Sequence, residues 1–278
     1  METALALIAA LCYGTADFCG GVATRRSSVL PIVVISSLVG WLLLLVVVPI
    51  ASPQLPSWNA LLWGIGAGVS GGLGLMFLYL GLASGAARVV APISAAIGTA
   101  IPVLAGWATG TSPSVSAWCG IVVAALAIVM LSYHDSSGTT TRTSSHPVFY
   151  AVVSGVMIGL FLVCYGWSGK DAGLWPLLAA RSVAVTWFLS ALIWTRTPLR
   201  VPASIGGLAV VAGVLDIIAN GCYLVAARTG NMSIVATLAN LYPVATVACA
   251  AVFLHERPNR LQSAGFLLAL GAIVLLTR

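Results

Sequence analysis

The feature that most constrains this chain is a succession of ten apolar runs, each near the length of a bilayer-crossing helix and set apart by polar breaks. They cover about 3–23, 29–50, 59–82, 88–108, 114–133, 147–167, 173–195, 203–227, 232–254 and 259–277. A spanning α-helix needs about 20 predominantly apolar residues. Irregular backbone cannot face lipid, because its unpaired N–H and C=O groups would find no partner there. The runs therefore predict an all-α integral membrane fold of ten transmembrane helices, and they leave no length for a soluble domain within these 278 residues.

Composition narrows the function classes. The chain is 60% hydrophobic and 6% charged, whereas a soluble domain carries about 25% charged residues. Most soluble enzymes, nucleic-acid readers and disordered chains are excluded. The net charge of +6 does not indicate a nucleic-acid partner, since Lys and Arg fall mostly between the runs, where they control topology. The first run is Gly-rich, contains Asp17 and lacks a clean basic start, so it reads as a mature helix and not a signal peptide. Cys12, Cys19, Cys119, Cys164, Cys222 and Cys249 all lie inside runs without metal-ligand spacing; they read as small buried hydrophobes.

The exception to the short connections is 134–146, a Ser/Thr-rich polar stretch that reads as a linker. It separates a first five-helix unit, 1–133, from a second, 147–278. Sliding the chain by 145 residues pairs Gly14 with Gly159, Gly21 with Gly166, Pro31 with Pro176 and Gly68 with Gly213. It also pairs Gly85 with Gly230, Pro113 with Pro258, Gly120 with Gly265, and Ala127-Ile128-Val129 with Ala272-Ile273-Val274. This common register indicates an internal repeat. Five crossings are an odd number, so two fused units insert with opposite orientation. Inverted repeats of this kind build secondary transporters, whose substrate site lies between the halves near the midplane.

Loops after odd-numbered helices hold Arg25, Arg26, Arg88, Arg142, Arg196, Arg200, Arg257 and Arg260, against Lys170, Arg228 and Arg278 on the other side. The bias places the odd-numbered loops in the cytoplasm and both termini outside.

Charges inside lipid are expensive and mark function or pairing. Asp17 lies about 9 Å before the end of the first helix, at 1.5 Å per residue. It is either a proton- or cation-binding carboxylate facing a cavity or a partner of Arg25 or Arg26. Asp216, Asn220 and Tyr223 share one face of the eighth helix by their spacing. That face is a candidate for substrate or proton binding; an Arg181–Asp216 ion pair is the structural alternative. The ninth helix carries Asn240, Tyr242 and Pro243, and the fourth carries Pro92, Gly98 and Pro102. Paired breaks in corresponding helices point to the substrate site, with a passive packing kink as the alternative. Tyr13, Tyr79, Phe161, Tyr165, Trp167 and Tyr223 are candidates to line a cavity. Trp58, Trp63, Trp118, Trp175 and Trp194 lie near run ends, as interface anchors do. Gly64, Gly68 and Gly72 form a small-residue face for close helix packing. No zinc motif, nucleophile elbow or phosphate loop is present. No enzyme, cofactor or metal is expected.

Two local patterns add a family resemblance. Tyr13-Gly14-Thr15-Ala16-Asp17-Phe18-Cys19-Gly20-Gly21 followed by Arg25-Arg26, and His255-Glu256-Arg257-Pro258 followed by Gln262 and Gly265, resemble the ten-helix EamA-type branch of the drug/metabolite transporter superfamily. The second stretch resembles that family's Gly-Glu-Arg-x-Thr segment, with His255 where the Gly usually stands. Glu256 is expected to serve the N-terminus of the last helix. Asp17, Gly20 and Arg25 also match the helix-1 spacing of the small multidrug-resistance relatives, whose acid binds protons and cationic drugs. Leu162 occupies the register of Asp17 in the second half, which disfavours a symmetric two-acid antiporter. The resemblance implies an exporter of a small metabolite at the inner or plasma membrane, working by alternating access. An amino acid is one candidate substrate and a proton one candidate coupling ion. The other readings are a multidrug antiporter using Asp17, a lipid flippase and a non-transporting scaffold. The expected partners are a small-molecule substrate and the lipid bilayer, in a monomer or homodimer.

Overall fold

A computed structural model describes residues 1–83, 87–110, 113–132 and 147–278. Gly85, Thr111 and the stretch 134–146 read as a linker lie outside the described residues. Among those described, the secondary structure is helical, with no strand.

The first half contains α1 (Glu2–Thr24), α2 (Val29–Ala51), α3 (Trp58–Ala83), α4 (Ala87–Ala108) and α5 (Val115–Ser132). The second contains α6 (Pro147–Trp167), α7 (Trp175–Trp194), α8 (Ala203–Thr229), α9 (Met232–Ala239), α10 (Pro243–Phe253) and α11 (Arg260–Leu276). A short 3₁₀ turn, Lys170–Ala172, lies between α6 and α7. Nine spans among the described residues are at least 18 residues long and apolar enough to cross a membrane, with α9 and α10 forming one of them. The 17-residue α11 is the tenth apolar helix, and 17 residues still suffice to cross.

One difference from the sequence reading concerns the prolines. The ninth run is broken, as its Pro243 suggests, but α4 runs unbroken through Pro92 and Pro102. A membrane helix absorbs a proline when neighbouring groups take the freed carbonyl. At Pro243 the preceding residues instead close three-residue turns, Leu241 N–H to Leu238 O at 3.1 Å and Tyr242 N–H to Ala239 O at 3.3 Å.

The repeat is visible in the packing. Helices of one half pack chiefly against helices of the other, and the pairs exchange between halves: α1 with α8 and α6 with α3, α3 with α7 and α8 with α2. α5 lies on α11. The register-matched glycines sit at equivalent contacts. A methyl on Gly120 would come within 2.8 Å of Leu276 Cγ and 3.1 Å of Leu275 Cβ; one on Gly265 would come within 3.1 Å of Leu131 Cγ and Met130 Cβ. Leu275 and Leu276 are the register mates of Met130 and Leu131. Gly14 is pressed against α10 at Ala245 and Thr246, and its mate Gly159 against Ile101, the mate of Thr246. Gly64 and Gly68 let α3 approach the backbone of α7 at Pro176 and Ala180, and Gly72 faces Trp187. This is the close-packing face expected from their spacing. The paired prolines are equally placed, Pro31 and Pro176 in the first turns of α2 and α7, and Pro113 and Pro258 two residues before α5 and α11.

Candidate functional site

The break between α9 and α10 is where the two halves bring polar groups together inside the span. Because Gly14 carries no side chain, α1 lies directly against the break, and a Cβ there would sit 2.6 Å from Ala245 Cβ and 2.9 Å from Thr246 N. Thr246 Oγ1 donates to Gly14 O at 3.1 Å, fixing that approach. The neighbouring Tyr13 then meets Tyr242 edge to face, with ring centroids 6.5 Å apart. Asn240, at the end of α9, keeps its side-chain Nδ2 buried with no hydrogen-bond partner.

From Tyr13 a chain of contacts runs across three helices. Its hydroxyl donates to Asn220 Oδ1 at 2.9 Å. Asn220 Nδ2 donates to Asp216 O one turn back on α8, at 2.7 Å. The Asp216 carboxylate is ion-paired with the Arg181 guanidinium on α7. The pair anticipated from depth alone is therefore formed, with side chains 14% and 31% exposed for Arg181 and Asp216. Tyr223, the third member of the α8 stripe, points elsewhere. It is fully buried and donates to Leu162 O on α6 at 3.1 Å. Its contact is between helices of the scaffold.

Asp17 lies one turn beyond Tyr13 on α1 and is exposed into a separate cavity of about 250 Å³. The cavity is lined by Asp17, Phe18 and Arg25 from the first half and by Thr246, Glu256 and Arg257 from the second. Asp216 does not line it, so the two candidate carboxylates do not share one pocket. Arg25 pairs with Glu256 at 2.9 Å and not with Asp17. Glu256 thus bridges the halves, while Asn259 caps α11, accepting from Gln262 N at 2.7 Å with the reciprocal bond from Asn259 N to Gln262 Oε1 at 3.1 Å. The expected helix-terminal role of Glu256 is taken by this capping box. His255 has φ 54°, in the left-handed region that favours glycine, which accounts for the Gly found at this place in the resembling motif.

A second, wider groove of about 760 Å³ follows α7 beside Ile65 and is lined by Ser182, Thr186, Ser190 and Trp187. Each of these hydroxyls donates to the carbonyl four residues earlier, at 2.8, 2.9 and 2.7 Å. None of the sequence-derived site residues lines this groove.

The aromatic candidates divide. Tyr165 and Tyr223 are buried, whereas Tyr79 and Trp167 are 43% and 39% exposed, and Trp167 packs on Trp63 at 5.5 Å. Among the terminal tryptophans, Trp58 and Trp194 are 81% and 90% exposed. Trp175 is instead engaged, donating through Nε1 to Ser52 O at 3.1 Å and Gln54 O at 2.8 Å. Arg228, read as a loop charge, is buried and bonded to Ser168 and Gly173. The eighth run ends at 227 in the sequence reading, whereas α8 extends to Thr229 and carries Arg228 in its last turn. Among the described residues, no group of three or more His, Cys, Asp or Glu is placed to hold a metal ion.

The polar set is not repeated. In the other half's register Asp17, Arg181 and Asp216 become Leu162, Ser36 and Gly71.

A family model described as the EamA-like transporter family matches the chain twice, over 1–133 and 146–278. A comparison with curated proteins finds no match. A solved structure titled only "Crystal structure of protein" is similar over 99% of this chain and 96% of its own, with a TM-score of 0.78 and 18% identity. At that identity the likeness shows the fold alone.

Proposed function

The chain belongs to the EamA-like transporter family of the drug/metabolite transporter superfamily, and from that premise we propose that it is a secondary transporter exporting a small metabolite across the inner or plasma membrane. The observation that carries this reading is Asp17, a carboxylate within a membrane-spanning helix, exposed into a cavity walled by both halves. An intramembrane acid of this kind is a functional group by default. Beside it, the α9–α10 break supplies an unpartnered amide at Asn240 and, through Tyr13 and Asn220, a path to the Arg181–Asp216 pair. Unwound helix of this kind is where transporters hold their cargo.

In this mechanism Asp17 binds a proton or cation in its own cavity, and Tyr13, Asn220, Asn240 and Tyr242 contact substrate at the break one turn away. The two halves rock about the break to expose Asp17 to each side in turn. Arg181 and Asp216 hold α7 to α8 and part when substrate competes for either. An amino acid carries the groups that such a set would recognise. The termini lie outside by loop charge, and the burial of Arg228 strengthens that bias by removing it from the minority side.

The test is proton release from detergent-purified protein on adding pooled metabolites, comparing the parent with Asp17→Asn and Asp216→Asn. Loss of release in Asp17→Asn alone is expected. Substrate binding without release in the parent would return Asp17 to a structural role, and strong binding of lipophilic cations in place of metabolites would establish the multidrug reading. No flux in liposomes across a broad panel would refute transport.

A further inference from the structure

The two faces of the bundle are closed by different means. On the basic face, which carries the α1–α2 and α10–α11 connections, the halves are joined by Arg25 and Glu256, whose side chains are 64% and 50% exposed. An exposed ion pair contributes little, and the Asp17 cavity opens beneath it. On the opposite face the closure is half-buried. Ser52, at the end of α2 and 8% exposed, accepts from Leu174 N at 3.0 Å through its Oγ. Trp175 adds its two bonds to Ser52 O and Gln54 O. Ser52 and Gln54 belong to the first half, Leu174 and Trp175 to the second. These bonds therefore cross between the bodies that alternating access must move.

The turn that reaches across is itself pinned. Arg228 Nη1 donates to Gly173 O at 2.6 Å, and its Nε and Nη2 donate to Ser168 Oγ at 3.2 and 2.7 Å. Ser168 passes the chain on to Tyr165 O at 2.6 Å. Gly173 has φ 52°, and a Cβ there would lie 2.6 Å from Ser52 Cβ. Both its backbone shape and its closeness to Ser52 require glycine. No carboxylate pairs with Arg228 among the described residues, so its charge is held wholly by neutral acceptors. Such an arrangement is costly unless every donor is well placed.

We propose that the Ser52/Gln54–Leu174/Trp175 contact, pinned by Arg228, is the latch that holds this face shut while the Asp17 cavity faces the basic side. The proposal rests on the reading that the halves move against each other, and assigns Trp175 and Arg228 positioning roles in that movement. Opening the latch exposes the 168–174 turn and, by the same rocking, closes the Asp17 cavity.

Two cysteine reporters test this. Ala172→Cys sits in the turn at a residue 6% exposed. Gly21→Cys lies in the lining of the Asp17 cavity, where a Cβ meets nothing within 4 Å. Labelling by a membrane-impermeant maleimide is followed by peptide mass spectrometry, with the native cysteines as internal references. Trp175→Phe keeps an aromatic ring, smaller than the indole, and loses the donor. It is expected to speed labelling at position 172 about fivefold, as loss of roughly one net hydrogen bond implies, and to slow labelling at position 21 reciprocally. Arg228→Lys and Ser52→Ala are expected to act in the same direction, and Trp194→Phe, at an exposed tryptophan without a bond, to do nothing. Unchanged rates in all three folded latch variants would overturn the proposal. Faster labelling at 172 with no change at 21 would also overturn it, since that is local fraying. The assay needs no substrate, so reciprocal labelling without metabolite flux would support the latch and count only against the transport reading.

Discussion

Removing the Asp216 charge tests whether the Arg181–Asp216 pair holds α7 to α8. In Asp216→Asn the guanidinium, 14% exposed, loses its anion. A guanidinium cannot shed its proton. Breaking a buried pair from one side costs about 3–5 kcal/mol. Because the carboxylate is 31% exposed, the expected loss is lower, about 2–3 kcal/mol after screening. At about 2 °C per kcal/mol for a chain of this size, the melting midpoint should fall roughly 4–6 °C. Arg181→Met should cost less, because an orphaned carboxylate can neutralise itself by protonation. The double variant Arg181→Met/Asp216→Leu should recover most of the loss, since apolar replacement of a buried pair is often neutral. Melting is read by intrinsic tryptophan fluorescence in one detergent. A double variant falling by the sum of the Arg181→Met and Asp216→Leu single losses would show no coupling and refute the reasoning. If the double variant is stable but carries no substrate, the pair serves transport as well as structure.

Gly14→Ala places a methyl against the backbone of α10. It should lose about 1–3 kcal/mol and abolish flux, whereas Gly20→Ala, with nothing within 4 Å, should match the parent in both assays. His255→Gly relieves a left-handed backbone at φ 54° and should raise the melting midpoint by the equivalent of about 1 kcal/mol; a lower midpoint would show that the imidazole holds the turn. Reversing the charge at Arg25 or Glu256 alone sets two like charges against each other and should slow transport; exchanging them, as Arg25→Glu with Glu256→Arg, should restore it. Failure of the exchange would mean that the contact depends on more than charge.

The membrane fold was legible because its signals are long. The run 147–167 coincides with α6, and 203–227 with α8 to within two residues. The repeat was legible because close helix contacts admit few side chains, so Gly120 and Gly265 remain in register where leucines have drifted. Within the site, the α8 periodicity correctly brought Asp216 and Asn220 to one side. It overreached at Tyr223, which shares the spacing but bonds to the α6 backbone. Sequence could not choose a partner for Arg25, because Asp17 is near in the chain while Glu256 is near only in the folded state. Trp175 and Arg228 resemble interface and loop residues by position; only the turn at Gly169 and Gly173, with φ 86° and 52°, folds the chain back over them.

The scaffold is doubled, but Asp17 has no counterpart in its register mate Leu162. If the inward and outward states arise by exchanging the shapes of the two halves, their backbones are related by a near two-fold rotation while their electrostatics are not. The carboxylate lies on α1 alone, so under such an exchange it would meet a different set of neighbours in each state. The resting balance between the states can then be biased without any change in the bound ligand. Of the two intramembrane acids, Asp216 is held in its pair with Arg181 and Asp17 is not, so charge movement through Asp17 would be a single proton or cation per cycle.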